Sequence, residues 1–289
     1  MVSMTLPEST ESRQEFNGQS SIASTKRALL FETLIKLYRW VFARAFFYRV
    51  NVLFYRLSLS GLGMFNYEND KVSGEAHFLA EYLKDREHCV VIDVGAHSGA
   101  WSRRVLQIKP DAKIIALEPH PDSFRSLSQI APVLALNVGC GSHREKRPLF
   151  DHFGRDGGTE HASFLREAIT THKGSQAVEH MATMVRLDDL IEELGIERVD
   201  LLKIDVEGLE YDVLKGALRS LETGLFDAIQ FEFNEMNVFS RVFMHDFFEL
   251  MKGYCFYRLL PHGLLPLKRY IPLTEIFAYQ NIVAKKIEV

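Results

Sequence analysis

The sequence predicts a doubly wound α/β fold on three observations. From Val90 onward short apolar strands alternate with helical stretches, the run Val90–Ser102 leads an apolar strand into a glycine-containing turn, and later apolar runs end on acids. The 289 residues, 47% hydrophobic and 25% charged, suffice for one substantial core with an appended segment. A net charge of −4 supplies no overall basic field for a phosphate backbone, which argues against nucleic acid as a partner.

Taken in order, residues 1–25 are rich in Ser, Thr, Glu and Gln and cannot bury enough area to offset chain ordering, so a disordered leader is expected. They lack the basic start and apolar stretch of a secretory signal. Cys89, Cys140 and Cys255 lie far apart and in no zinc-chelating spacing, which suits a reducing cytoplasm, and Cys89 and Cys140 sit in or beside apolar runs as packing residues. Residues 26–72 read as an aromatic, basic helical extension. Lys36, Arg39, Arg44, Arg49 and Arg56 interrupt its apolar runs well before the roughly 20 residues needed to cross a bilayer. On one continuous helical wheel these cations spread around the circumference, a poor fit to a simple surface-lying amphipathic helix. Two readings stay open for residues 29–62: a cap packed on the domain, or peripheral contact with a membrane or a lipid-linked substrate.

The domain proper is expected over 73–289. Strands are predicted at Val90–Val94, Lys113–Glu118, Val133–Val138, Leu201–Asp205, Ala228–Glu232, Phe256–Leu260 and Phe277–Ala284. Helices are predicted at Ser98–Lys109, Asp122–Gln129, Asp188–Leu194 with Asp188 as its cap, Gly208–Leu221 and Val242–Lys252. The polar, His-rich stretch 147–186 interrupts the rhythm as an insertion, either a binding lid or a pair of edge strands with a solvated loop.

The chemistry gathers at strand ends. In VVIDVGAHSGAWS, Gly95 permits close approach of a ligand to the backbone, Gly99 permits tight entry to a helix, and the helix start offers free N–H groups. His97 stands where a dinucleotide fingerprint requires its second glycine, which weakens a nicotinamide or flavin reading. Asp93 at the end of the first strand suits a cationic ligand. Glu118 at the tip of the second can accept ribose hydroxyls, and together the two acids point to a nucleoside-bearing cofactor. VDLLKIDVEGLEYDVLKGA then delivers Lys203, Asp205 and Glu207 to the same crevice, while Glu210 falls in the first turn of the following helix, where its dipole favours a carboxylate. Asp205, Glu232 and Asn234 supply oxygens that would suit magnesium as an alternative. His97 either touches the cofactor or faces solvent, His161 beside Ser163 is a candidate acceptor contact, and His88, His120, His143, His172 and His245 read as surface or packing residues.

DVGAHSGAWS, LEPHPDSF, VRLDDL and LLKIDVEGLEYDVLKGA together resemble the FkbM family of methyltransferases, with SGE at Ser73–Glu75 and HASF at His161–Phe164 as weaker echoes. The resemblance implies a class I methyltransferase, Rossmann-like fold: a mostly parallel seven-stranded sheet with an antiparallel last strand, here with the N-terminal helical extension. It implies methyl transfer from S-adenosylmethionine to an oxygen of a small-molecule or glycan acceptor, such as a sugar, glycolipid or polyketide-type hydroxyl. Matched by position, Glu75, Asp93, Gly95, His97, Gly99, Glu118 and Asn137 would surround the cofactor. His97 departs from the usual Asn. Asp205 is the first candidate general base and Glu207 the second, with Lys203 holding the carboxylate or the acceptor. Two other classes remain: a catalytically silent cofactor-fold module tied to a membrane or biosynthetic assembly, and a nicotinamide oxidoreductase, for which no tyrosine–lysine pair is spaced suitably.

Overall fold

The computed structural model describes residues 29–152, 164 and 177–287. The leader at 1–25, the candidate acceptor contact His161 with its neighbour Ser163, and His172 lie outside them. The chain divides into two compact units, Met1–Ser58 and Leu59–Val289. Within the larger unit Leu59 and Met64 are buried together with Ala278.

The smaller unit, described from residue 29, holds a helix at 29–42, a 3-10 turn at Ala45–Phe47 and most of the helix Tyr48–Gly61. Its helices are pinned where Tyr38 Oη donates to Asn51 Oδ1 (2.6 Å) and Asn51 Nδ2 donates to the Phe42 carbonyl (2.9 Å). The extension is therefore two helices and not the single one on which the wheel was drawn.

Among its described residues the larger unit carries eleven strands: β1 (Val90–Val94), β2 (Lys113–Leu117), β3 (Leu134–Leu136), β4 (Gly139–Cys140), β5 (Glu145–His152), β6 (Ala177–Val185), β7 (Val199–Ile204), β8 (Phe226–Phe233), β9 (Tyr254–Leu260), β10 (Gly263–Leu267) and β11 (Gln280–Lys286). The main sheet has the order β10-β9-β11-β8-β7-β1-β2-β3. Strands β3, β2, β1, β7 and β8 are parallel, whereas β11 runs antiparallel between β8 and β9. The expected seven strands are all present, and an eighth, β10, adds an antiparallel hairpin on β9. The chain leaves β1 towards β2 and β3 and later returns to β7 on the other side of β1, so the order reverses there and a crevice opens at the carboxyl ends.

Period-2 alternation sorts the strands onto two cores. Ile92, Ile115, Leu202, Ile229 and Phe231 face one side, and Val91, Ile114, Leu201, Ala228 and Val283 face the other. Asp93, Lys203, Gln230, Glu232 and Asn281 have the parity of the second face, so a row of polar residues continues that core towards the crevice.

The inserted stretch is the β5–β6 antiparallel pair, joined by β4 into a separate three-stranded sheet. The helix expected at Gly208–Leu221 is two, Glu210–Lys215 and Leu218–Glu222. A Cβ at Gly216 would run into the Gly141 carbonyl oxygen, so close packing of two backbones breaks the run. Asp188 does not cap its own helix, Leu187–Glu193, where Arg186 is the N-cap. It accepts instead from Ser220 N–H (3.0 Å), Ser220 Oγ (2.7 Å) and Arg219 N–H (3.0 Å), closing the start of Leu218–Glu222. The helix expected at Val242–Lys252 is present as Met244–Leu250, preceded by a separate short helix at Met236–Ser240.

Candidate active site

The turn after β1 is shaped by backbone constraints. Gly95 has φ +81°, and a Cβ there would strike the Asp205 carbonyl oxygen, so only glycine lets the β1 and β7 ends meet. Its N–H and that of Ala96 donate to the Leu117 carbonyl at 2.9 and 3.0 Å. His97, also left-handed at φ 48°, turns its N–H onto Glu118 Oε2 (2.7 Å), and the His120 N–H donates to Glu118 Oε1 (2.7 Å). Glu118 is thus oriented at both oxygens, and burial pushes its carboxyl up to about 7 although these N–H groups pull the other way. Asn137 Nδ2 donates to the carbonyls of Glu118 (2.8 Å) and Pro119 (3.2 Å), tethering the loop that carries this acid.

Two adjoining cavities share Gly95, His97 and Asp205. The first adds Glu118, His120, Phe164 and Glu207. The second, about 380 Å³, adds Glu75, Trp101, Arg104 and Lys203. The structure therefore brings Glu75, Gly95, His97, Glu118, Lys203, Asp205 and Glu207 together. Three predicted residues do not line either cavity. Asp93 is fully buried under the helix Ala100–Ile108, with Oδ2 accepting from Ser102 Oγ (2.7 Å) and Oδ1 unpartnered. Gly99 packs against Leu127 and Ile130 as that helix's N-cap. Asn137 acts on the Glu118 loop from outside.

The electrostatics of this end are lopsided. Lys203 Nζ lies 2.8 Å from Asp205 Oδ2 and 5.7 Å above the Trp101 ring. Burial opposes its charge, but Asp205, Asp93 and Glu75 outweigh that and hold its pKa above the ordinary lysine value. Glu75 accepts from Gln230 Nε2 (2.6 Å) and Ser73 Oγ (3.2 Å) and is raised chiefly by burial. Glu232 is raised well above the usual carboxylate range by burial and then by the charges of Asp205, Glu207 and Glu75. Tyr279 is raised too, by burial and then by Glu232, Glu75 and Asp205. Lys203 alone does not balance these carboxyls, and the surplus favours a cationic ligand.

The magnesium alternative is not assembled. Asn234 Oδ1 already accepts from the Met236 N–H (2.8 Å), and Lys203 holds Asp205. Among the described residues no group of three or more His, Cys, Asp or Glu side chains is placed to hold a metal ion.

His120, expected as a surface or packing residue, takes the second place and also reaches the site. It is 3% exposed, lines the first cavity, accepts from the Asp122 N–H at Nδ1 (3.3 Å), and points Nε2 at Asp151 Oδ2 (3.4 Å). The signal was the Pro121 that follows, since proline at a helix start makes the preceding residue a cap. Glu210 takes a structural place: Oε1 accepts the N–H groups of Val206 (3.2 Å) and Gly208 (3.1 Å) and so fixes the loop bearing Asp205 and Glu207. Gln230, Tyr279 and Asn281 were not singled out, because nothing local distinguishes a strand residue that meets an acid from another element.

A mostly parallel sheet with a reversed strand inserted near one edge, and a crevice at the β1–β7 switch point, defines a class I methyltransferase fold. Residues 93–258 match the Methyltransferase FkbM domain, more than half of the chain, and the chain belongs to that family. It is 32% identical over 153 residues to Methyltransferase sdnD of Sordaria araneosa, covering 44% of this chain and 59% of that protein. It is 27% identical over 164 residues to 2-O-methyltransferase NoeI of Sinorhizobium fredii, covering 53% and 68%. It is 27% identical over 168 residues to the hexuronic acid methyltransferase AglP of Haloferax volcanii, covering 54% and 62%.

The family implies S-adenosylmethionine, and the residues fit it. Gly95 presents bare backbone to both cavities, Glu118 presents an ordered carboxyl, and the acid surplus suits a sulfonium and an ammonium. His97 Nε2 and Trp101 Nε1, on residues lining the second cavity, are buried without a partner.

Proposed function

We propose that this chain is an S-adenosylmethionine-dependent O-methyltransferase acting on a hydroxyl of a sugar-type acceptor. The observation that carries the reading is the shared opening of Glu118, Asp205 and Glu207 beside Gly95. When bound, S-adenosylmethionine supplies an electrophilic methyl group. Glu118 accepts hydroxyls on the oxygens already aligned by His97 and His120, and Asn137 holds its loop in place. Glu75, Gly95 and His97 line the adjoining cavity, while Asp93 and Gly99 set the shape of the turn from behind.

An acceptor hydroxyl must lose its proton as the new bond forms. Asp205 takes it on the carboxylate oxygen that Lys203 does not hold, and Lys203 fixes the orientation of that carboxylate. Glu207 is the second acid facing the acceptor. Orientation of the two reactants supplies most of the remaining acceleration. The sugar class is supported by the names of two relatives, a 2-O-methyltransferase and a hexuronic acid methyltransferase. Glycolipid and polyketide-type hydroxyls share the same chemistry and belong in the same screen.

The test is transfer of labelled methyl into sugar, glycolipid and polyketide extracts, with cofactor retention measured separately. Asp205→Asn should keep the cofactor and lose transfer, and Glu118→Ala should lose retention. Tight NAD binding in place of S-adenosylmethionine would overturn the reading. Retention without transfer into any extract would make the chain a binding module.

A further inference from the structure

The surface of the smaller unit is unusual. No residue between 29 and 58 is buried. Trp40 is 73% exposed, Phe46 89% and Leu37 57%. A surface of this kind marks an interaction site.

The break at 43–47 changes how the cations are arranged. In the helix 29–42 the charged residues are Glu32, Lys36 and Arg39, at i, i+4 and i+7, which places them on one narrow stripe. Thr33 aside, the other residues of that helix are apolar or aromatic. In Tyr48–Gly61, Arg49 and Arg56 are again seven apart and share one face. The helix 29–42 is therefore a wide apolar surface with a thin charged line, and in Tyr48–Gly61 the arginine line is flanked by apolar residues with Asn51 and Ser58 opposite it, so the circumferential spread of the cations disappears once the phase restarts after the turn.

From this arrangement we propose that residues 29–58 dock the protein on an anionic lipid surface, lying in the headgroup boundary with the basic stripes towards the headgroups. Three observations favour lipid over a protein partner. On the helix 29–42 the apolar surface covers most of the circumference, whereas a folded partner packs against one side. Lys36, Arg39, Arg44, Arg49 and Arg56 face a single described acid, Glu32, in a chain whose net charge is −4, so the positive charge is concentrated here. Trp40, Tyr38, Tyr48 and Tyr55 are residues that settle at the apolar–polar boundary, and their neighbouring cations have stems long enough to reach the headgroups. Among the described residues no helix is long and apolar enough to cross a membrane, so the contact lies on the surface.

The test is sedimentation of the full chain with vesicles of phosphatidylcholine alone and of phosphatidylcholine mixed equally with phosphatidylglycerol. The protein should pellet with the mixed vesicles and be released by salt. Replacing Lys36, Arg39, Arg49 and Arg56 by Gln one after another should weaken binding about fivefold per cation. Trp40→Ala should weaken it about tenfold or more at every salt concentration. Unchanged far-ultraviolet dichroism and unchanged cofactor retention show that these variants are folded. Vesicle binding needs neither cofactor nor acceptor, so its failure and a failure of methyl transfer are separate results. A chain that stays in the supernatant with mixed vesicles overturns the assignment. A dimer that Trp40→Glu dissociates, without vesicle binding, gives the surface to a second copy instead.

Discussion

Strand β7 begins and ends on acids that live in opposite worlds. At its amino end Asp200 is 1% exposed, yet it accepts from Arg86 Nη1 (2.5 Å), the Val90 N–H (2.8 Å) and Arg198. Burial works against the Asp200 charge, but the Val90 N–H, Arg198 and Arg86 together hold its carboxyl below the usual range. Just past its carboxyl end Asp205 shares Lys203 with a crowd of acids, and Glu75 and Glu232 are driven the other way. The first end is saturated with donors and has nothing left to offer a ligand. The second is short of positive charge, which costs stability in the empty protein and is the condition for attracting a cation.

The largest effect should come from Asp205→Asn, with methyl transfer falling about 10²–10⁴-fold while cofactor affinity changes little, read by single-turnover label transfer. Survival of transfer would break the contrast at its reactive end. Glu118→Ala should weaken cofactor binding about 10–100-fold in calorimetry, the loss of charge-assisted hydrogen bonds. At the other end Asp200→Ala should lower unfolding free energy by about 1–3 kcal/mol in urea, because the Val90 N–H and two guanidinium groups lose their acceptor, with cofactor affinity of the folded fraction unchanged. A change in cofactor affinity there would mean that the two ends are not independent.

The smallest effect is in pH dependence, and its sign differs between the ends. Glu118 titrates at about 7 in the folded protein against 4.5 ordinarily, so its contribution to the stability of the cofactor-free protein is present below 4.5 and lost as pH rises through about 7. Asp200 is depressed, so its contribution is present above 3.8 and lost as pH falls through its folded value. Cofactor affinity should fall about tenfold per pH unit below about 7 as Glu118 takes up a proton, and Glu118→Gln should flatten that dependence.

Much of the fold and part of the site were legible in the residues alone. Alternating apolar runs with turn residues between them are local, so the seven core strands, the glycine turn and the acids at strand tips could be read directly, β1 with the very bounds it has in the structure. Hairpin β10 and the split of the helix at Gly216 were not, because one depends on an edge left open by β9 and the other on Gly216 meeting Gly141 across the fold.

For the site, sequence determined which acids stand at which strand ends. Tertiary structure alone decided their surroundings: a helix packed over Asp93, and a helix start brought Glu75 to Gln230 over 155 positions of chain. In the smaller unit, sequence determined the cations, and only the turn at 43–47 decided that they form stripes. The physical reason is the same throughout. Hydrophobic period and turn chemistry act over a few residues, whereas the charge an acid carries depends on every group folded against it, however distant along the chain.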